Sequence, residues 1–252
     1  MGYNTVTIQP DYNMLSVNFK DVSNTEGIGI QELFLGTGDS KCPFKGYTNT
    51  SQADQIKVYV NVGETADYIT YYLYYNSKQT TNVKNYKWCR ATDNAVETGK
   101  KFKNGDTLWF KRYGEDPVSF TVSGEVELSE VKSFTIQPGY NMIGSFFPTG
   151  WAPNDEPYTT DYWKSANAKG FTAAGQADQI KVYVNDGNTA DYATYYLYYN
   201  SKQTTNVKNY KWCKATDNSA ISGNILNPGF GAWYKRYGED KMTLDIKNQF
   251  SK

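Results

Sequence analysis

The chain of 252 residues contains no histidine. That absence removes Ser-His-Asp and Cys-His catalysis, imidazole general bases and every histidine-ligated metal site. Cysteine is scarce: Cys42, Cys89 and Cys213 are the only three, and no CxxC occurs. Cys89 and Cys213 each follow a tryptophan, and Cys42 has no such setting. They read as free thiols, two of them buried at strand ends. A Cys89–Cys213 bridge across a pseudo-two-fold axis is the other arrangement open to them. Net charge is missing too, because 26 Lys plus Arg balance 26 Asp plus Glu. No basic stripe stands out and arginine is sparse, so nucleic acid is not expected as a partner.

Long apolar runs are absent, and none reaches the ~18 residues of a membrane span. The opening "MGYNTVTIQP" lacks the basic start and apolar stretch of a signal peptide and enters a strand pattern at once. So abrupt a start is expected of a mature or truncated chain. No phosphate-binding loop of the GxGxxG or GxxxxGK[ST] type is present.

What is present is a repeat. Ala53–Asn94 aligns with Ala177–Asn218 at an offset of 124, and only four of 42 positions differ: Val62/Asp186, Glu64/Asn188, Ile69/Ala193 and Arg90/Lys214. "YGED" recurs at Tyr113–Asp116 and Tyr237–Asp240, and "TIQPDYNM" (Thr7–Met14) returns as "TIQPGYNM" (Thr135–Met142) at an offset of 128. The period is too long for a solenoid or a propeller blade and long enough for a domain. We therefore expect two homologous domains in tandem, 1–128 and 129–252, joined near Ser129–Lys132.

Inside each unit the period is two. In "ADQIKVYVN", Ile56, Val58 and Val60 alternate with Gln55, Lys57 and Tyr59. Turn tetrapeptides follow at "NVGE" (Asn61–Glu64) and "NDGN" (Asn185–Asn188). Further strands are expected over Tyr68–Tyr75 and Val83–Cys89, separated by the polar loop "NSKQTTN", and again after the turns "KNGD" (Lys103–Asp106) and "NPGF" (Asn227–Phe230). The divergent stretches from Lys20 to Gln52 and from Pro148 to Gln176 read as long loops. Short helices are expected at "IQELF" (Ile30–Phe34) and "TDYWKS" (Thr160–Ser165). About seven short strands per unit, rich in aromatic and β-branched residues, give an all-β fold of β-sandwich or barrel-like domains.

The order "PGYNMIGSFFP" (Pro138–Pro148), "ADQI", a Tyr-rich strand ending in Trp, then "NPGFGAWYKRYG" (Asn227–Gly238) resembles a bacterial repeat. In that family the order reads roughly "aGwNlignPfp … aDqI … gW … pGqgfWykr.g … lt.sGeV", and "FTVSGEV" (Phe120–Val126) also fits it. Ser145-Phe146 replaces its usual "NP", and the first copy reads "DYNMLSVNF". The resemblance implies β-rich modules of secreted or surface proteins, most of them without an assigned activity.

Candidate chemistry is thin. Carboxylates for acid–base pairs would come from Asp54, Asp67, Glu115, Asp116, Asp178, Asp191, Glu239 and Asp240. Each sits by a glycine or at a strand start, where aspartate satisfies turn amides. We expect no catalytic residue and no cofactor, hence no enzyme. "NDGNTAD" offers Asp186, Asn188 and Asp191 as oxygen ligands for calcium, without EF-hand spacing, and a hairpin turn explains the same residues. "KRYG" is expected to pack a cation on its tyrosine rather than hold an anion.

The aromatic rows carry more. Tyr68, Thr70, Tyr72 and Tyr74 share one strand face, and Ile69, Tyr71, Leu73 and Tyr75 the other, which we take as the core side because Ala193 replaces Ile69 there. Beyond the loop, Tyr86 and Trp88 share a face. Either the tyrosines of the second face are buried with hydroxyls at a rim, or they form an exposed row that stacks on sugar or anchors a partner. Candidate ligand residues on the second view are Tyr72, Tyr74, Tyr86 and Trp88, with Tyr196, Tyr198, Tyr210 and Trp212 in the other copy. The sequence thus points to a non-catalytic structural or adhesive protein whose partner is a surface protein or itself, with a carbohydrate-binding module as the alternative; a secreted or surface location is what the resemblance implies.

Overall fold

The computed structural model describes residues 1–21, 26–35, 42–62 and 65–248. The fold is all-β. Strands β1 (Gly2–Ile8), β2 (Asp11–Ser16), β3 (Ile28–Gly29), β4 (Gln55–Val62), β5 (Thr65–Tyr74), β6 (Lys87–Arg90), β7 (Lys101–Phe102), β8 (Thr107–Arg112) and β9 (Val118–Gly124) form the first half. The second contains β10 (Val131–Ile136), β11 (Gly139–Gly144), β12 (Gln179–Asn185), β13 (Ala190–Tyr198), β14 (Lys211–Lys214), β15 (Gly231–Arg236) and β16 (Met242–Lys247). The expected helices are one-and-a-half-turn pieces, α1 (Ile30–Leu35) and α2 (Thr160–Ser165).

Both halves share one antiparallel topology. A five-stranded sheet runs β2-β8-β4-β5-β6 in the first and β11-β15-β12-β13-β14 in the second. A two-stranded ribbon, β1-β9 or β10-β16, lies across the inner face. Among the described residues every ladder between named strands stays within one half. Turns set the register: Gly105 and Gly229, third in "KNGD" and "NPGF", have φ of +91° and +83°, a region open to glycine without steric cost.

Each core fills the space between sheet and ribbon. In the first half Ile56, Leu73, Trp88 and Phe110 from the sheet meet Val6 and Ile8 from the ribbon and Phe34 and Phe44 from the divergent loop. In the second, Trp163 of α2 packs edge-on against Trp212 at 5.3 Å. The repeated "ADQI" and "KRYG" are two ends of one brace. Asp54, fully buried, accepts from Arg112 Nη1 at 2.9 Å, Lys45 N at 2.9 Å and Tyr113 N at 2.6 Å. Asp178 repeats this with Arg236 Nη1 at 2.6 Å, Lys169 N at 3.0 Å and Tyr237 N at 2.7 Å, and adds Tyr234 Oη at 3.0 Å. A Cβ at Gly114 or Gly238 would overlap the guanidinium, so the glycine of "KRYG" is sterically required.

The outer faces of the two sheets meet. Tyr59 stands edge-on to Trp233 at 5.1 Å, and Tyr183 edge-on to Trp109 at 5.0 Å. Tyr183 is the counterpart of Tyr59, and Trp233 of Trp109, so the contact is reciprocal, as in an isologous dimer. Equivalent residues then meet on the axis. A Cβ on Gly144 would overlap its own counterpart Ser16, and one on Gly231 would overlap its counterpart Thr107. One member of each pair must be glycine because both side chains would occupy one place.

Several expectations need correction. The strand over Val83–Cys89 is confined to Lys87–Arg90, because Asn82–Lys87 is held in turns by Asn85 N to Asn82 O (2.9 Å) and Lys87 N to Lys84 O (3.0 Å). Ile69, expected in the core, is 41% exposed, although Val58 opposite it on β4 is buried. Within Lys20–Gln52 and Pro148–Gln176, α1 and α2 fall at the expected short helices, and the structure adds the two-residue strand β3 and a 3-10 turn at Ala174–Gln176. The turn at Asn61–Glu64 falls partly outside the described residues. All three cysteines are free thiols, and the axis carries Ser16/Gly144 and Thr107/Gly231 instead of a Cys89–Cys213 bridge.

Candidate functional site

The tyrosine question has a direct answer. Tyr72 and Tyr74 are buried with Ala53 and Cys89, and Tyr196 and Tyr198 with Ala177 and Cys213. Val96 packs against this first cluster, and Tyr47 extends the sheet beside the end of β5: Tyr47 N donates to Leu73 O at 3.0 Å and Tyr75 N to Tyr47 O at 3.2 Å. Tyr72 Oη donates to Asn94 Oδ1, and Tyr196 Oη to Asn218 Oδ1 at 2.5 Å. Burial, followed by the neighbouring thiol and tyrosine, pushes both phenols up to about 12. Trp88 and Trp212 are completely buried. Of the eight candidate ligand residues, six are therefore interior, and only Tyr86 and Tyr210 reach the surface.

Those two belong to a ledge that period-two reasoning did not find. Tyr86 stacks on Tyr75 at 4.7 Å between ring centroids, and Tyr210 lies against Tyr199 at 4.8 Å. Beside each stack stands an exposed ring, Tyr47 or its counterpart Phe171. The loop before it projects Val83, 87% exposed, or Val207, 89% exposed. Tyr86 and Tyr210 adopt φ of +56° and +57°, a left-handed backbone that costs a bulky L-residue about 1–2 kcal/mol. That conformation turns the ring back onto its neighbour. The signal for it was the faithful repetition of "YYNSKQTTNVKNY", not its alternation.

The polar residues of that loop are used internally. Asn85 Oδ1 accepts from Asn76 N at 2.8 Å while its Nδ2 donates to Gln79 O at 2.9 Å and Thr80 O at 3.2 Å. Asn209 repeats the brace with Asn200, Gln203 and Thr204. Lys84 Nζ donates to Asn94 O at 2.8 Å, and Lys208 Nζ to Asn218 O at 3.2 Å. The ledge is thus held in place before any partner arrives. The copies differ at its flank, where Lys164 Nζ lies 5.4 Å from the Tyr210 ring and the first copy has Cys42 near Tyr86. Burial raises the Tyr86 phenol, and its hydrogen bond with Tyr75 adds to that.

The chain matches no known family model, no curated protein and no solved structure. Function must therefore be read from these residues.

The remaining candidates resolve individually. Asp186 Oδ1 accepts from Asn188 N at 2.9 Å and Thr189 N at 2.8 Å, and these turn bonds hold its carboxyl below the usual range. Asp191 Oδ1 accepts from Tyr192 N at 2.6 Å. Among the described residues no group of three or more Cys, Asp or Glu is placed to hold a metal ion. Asp54 and Asp178 are the structural braces described above, and Asp67 accepts from Tyr68 N at 2.6 Å. Glu115 and Asp116, with Glu239 and Asp240, lie in exposed turns after β8 and β15. Lys111 Nζ lies 4.7 Å from the Tyr113 ring centroid and Lys235 Nζ 5.7 Å from that of Tyr237, so the "KRYG" cation does pack on its tyrosine. No helix among the described residues is long and apolar enough to cross a membrane.

Proposed function

We propose that this chain is a non-catalytic structural or adhesive protein of the cell surface or extracellular space, and that it engages its partner through the twin ledges. The observation that carries the reading is the duplication itself: two braced aromatic ledges with an exposed valine tip, at symmetry-related places on one fused body. Two equivalent contacts on one body supply avidity, which multiplies binding by about 10²–10⁴ when both can engage. Tyrosine is well suited as an anchor because it offers large contact area with few rotatable bonds. The surface location is supported by the resemblance to secreted and surface repeats.

Carbohydrate binding is the second reading. It is favoured by the exposed Tyr86 ring and the half-exposed Tyr75, Tyr199 and Tyr210 rings, whose faces suit the C–H side of a sugar. The experiment compares the full chain with Tyr86→Ala, Tyr210→Ala and the double variant, on arrayed surface proteins, on arrayed glycans and in concentration-dependent light scattering. Protein binding or self-assembly that each single variant weakens by about 10²-fold, with silent glycans, supports the adhesive reading. Glycan binding lost in the double variant moves the assignment to the second reading. Binding that survives the double variant removes the ledges from both.

A further inference from the structure

The pseudo-two-fold relation is also broken at the turns "KNGD" and "NPGF". On one side of the axis the halves are sealed. Phe230 packs into both cores and forms a bridge with Leu15. Ser16 N donates to Gly229 O at 2.8 Å, and Asn4 Nδ2 to Pro228 O at 3.1 Å. Asn185 Nδ2 donates to Pro10 O at 2.8 Å and to Tyr12 O at 3.0 Å. On the other side the position of Phe230 is held by Asp106, since "KNGD" stands where the second copy has "NPGF". Asp106 turns its Oδ2 back to accept from Lys103 N at 2.9 Å, and the junction is closed differently there: the Phe146 ring lies against Gly105, and Asn104 Nδ2 donates to Phe146 O at 2.8 Å. Beside this contact lies a cleft of about 430 Å³, between Val58–Val60 of β4 and Phe134–Ile136 of β10.

We propose that this cleft is a binding site for a neutral saccharide. Its size falls in the range of small-ligand pockets, roughly 300–1,000 Å³. Tyr59, Phe134 and Tyr140 are among its lining residues, together with the amide-bearing Gln137 and one charged residue of each sign, Lys100 and Asp106. Rings offer faces to the C–H side of a sugar. An amide, an ammonium and a carboxylate pair with hydroxyls, which both donate and accept. Charges of opposite sign leave no net field to select an ion, so an uncharged polyhydroxylated ligand is the chemistry that fits. The walls belong to different halves: Tyr59, Lys100 and Asp106 come from the first, and Phe134, Gln137 and Tyr140 from the second. The site therefore exists only in the fused arrangement, and the two copies cannot each have one. It is separate from the ledges and stands or falls independently of them.

The test titrates the full chain with the methyl glycosides of glucose, galactose, mannose and N-acetylglucosamine, read by calorimetry and by saturation-transfer NMR. Two variants fill the cleft: Asp106→Phe, which reproduces the plug of the sealed side, and Thr135→Trp at an exposed lining position. Tyr86→Ala, on the ledge, serves as the comparison, and thermal unfolding checks that each variant is folded. We expect saturable binding of at least one glycoside, weakened about tenfold or more, that is about 1.4 kcal/mol, by Asp106→Phe and Thr135→Trp and unchanged by Tyr86→Ala. Absence of saturable binding across the panel overturns the proposal. So does binding that persists in a folded Thr135→Trp variant, or that disappears with Tyr86→Ala alone.

Discussion

Tyr59 meets Trp233 edge-on at 5.1 Å, and the same two positions with the halves exchanged, Tyr183 and Trp109, meet at 5.0 Å. Reciprocity of this kind makes the junction a two-fold interface built inside one chain. Its demands are strictest on the axis, where Thr107 faces Gly231 and Ser16 faces Gly144. Gly231→Thr places two threonines in one space, and overpacking of this kind costs about 1–3 kcal/mol. Denaturant unfolding should show that loss. Exchanging the pair, Thr107→Gly with Gly231→Thr, should recover most of it, because the axis treats the two positions alike. Additive losses in the double variant would contradict the axis.

The Asp54–Arg112 and Asp178–Arg236 braces are closed pairs with almost no solvent contact. Asp178→Asn leaves the Arg236 guanidinium buried without its counter-charge. Removing one partner of a buried pair costs about 3–5 kcal/mol. A loss of unfolding free energy of that size is expected in urea, whereas Asp186→Asn, in a solvated turn, should leave the midpoint nearly unmoved.

Glu127 fastens the connection between the halves. Its Oε2 lies 3.0 Å from Lys20 Nζ and 3.0 Å from Lys132 Nζ, and Ser129 donates to its Oε1. Burial works to raise this carboxyl, but the hydrogen bonds from Ser129, Lys132 and Lys20 outweigh it and hold it down at about 2, against 4.5 ordinarily. A carboxyl depressed on folding contributes stability above its unfolded pKa and loses it as pH falls toward its folded one. The contribution should therefore be whole above about pH 4.5 and fade toward about pH 2. Glu127→Gln should flatten that part of the stability–pH curve. Unaltered pH dependence in the variant would remove Glu127 from the account.

Thiol chemistry separates the cysteines. Cys89 and Cys213 lie buried under the tyrosine clusters, and burial pushes both thiols up. A thiolate-selective reagent should find at most Cys42 in the native protein and all three thiols after denaturation. Rapid native labelling of Cys89 would mean that the Tyr72/Tyr74 cover opens readily.

Trp88 and Tyr86, taken together from the sequence, should respond differently. Truncating a fully buried tryptophan costs about 3–5 kcal/mol, so Trp88→Ala should be strongly destabilising. Tyr86 rests on the surface in a left-handed backbone, and Tyr86→Asn, which tolerates that region better, should cost little. Equal losses for the two would undo the distinction between core and ledge.

The sequence alone determined the β class and the duplication of its motifs, because alternation and self-similarity are properties of the chain read in order. "IKVYV" alternates whatever it packs against, and "ADQI" is repeated whether or not its function is visible. Alternation defines two faces for β5 but does not say what covers either one. Only the tertiary structure decided that Tyr72 and Tyr74 are buried with Ala53 and Cys89, that Trp88 points into the core, and that Tyr86 turns out onto Tyr75. The same holds for the axis at Ser16/Gly144 and the cleft beside Asp106. Burial is set by what arrives from distant parts of the chain, and around Trp109 and Trp233 what arrives is the other half.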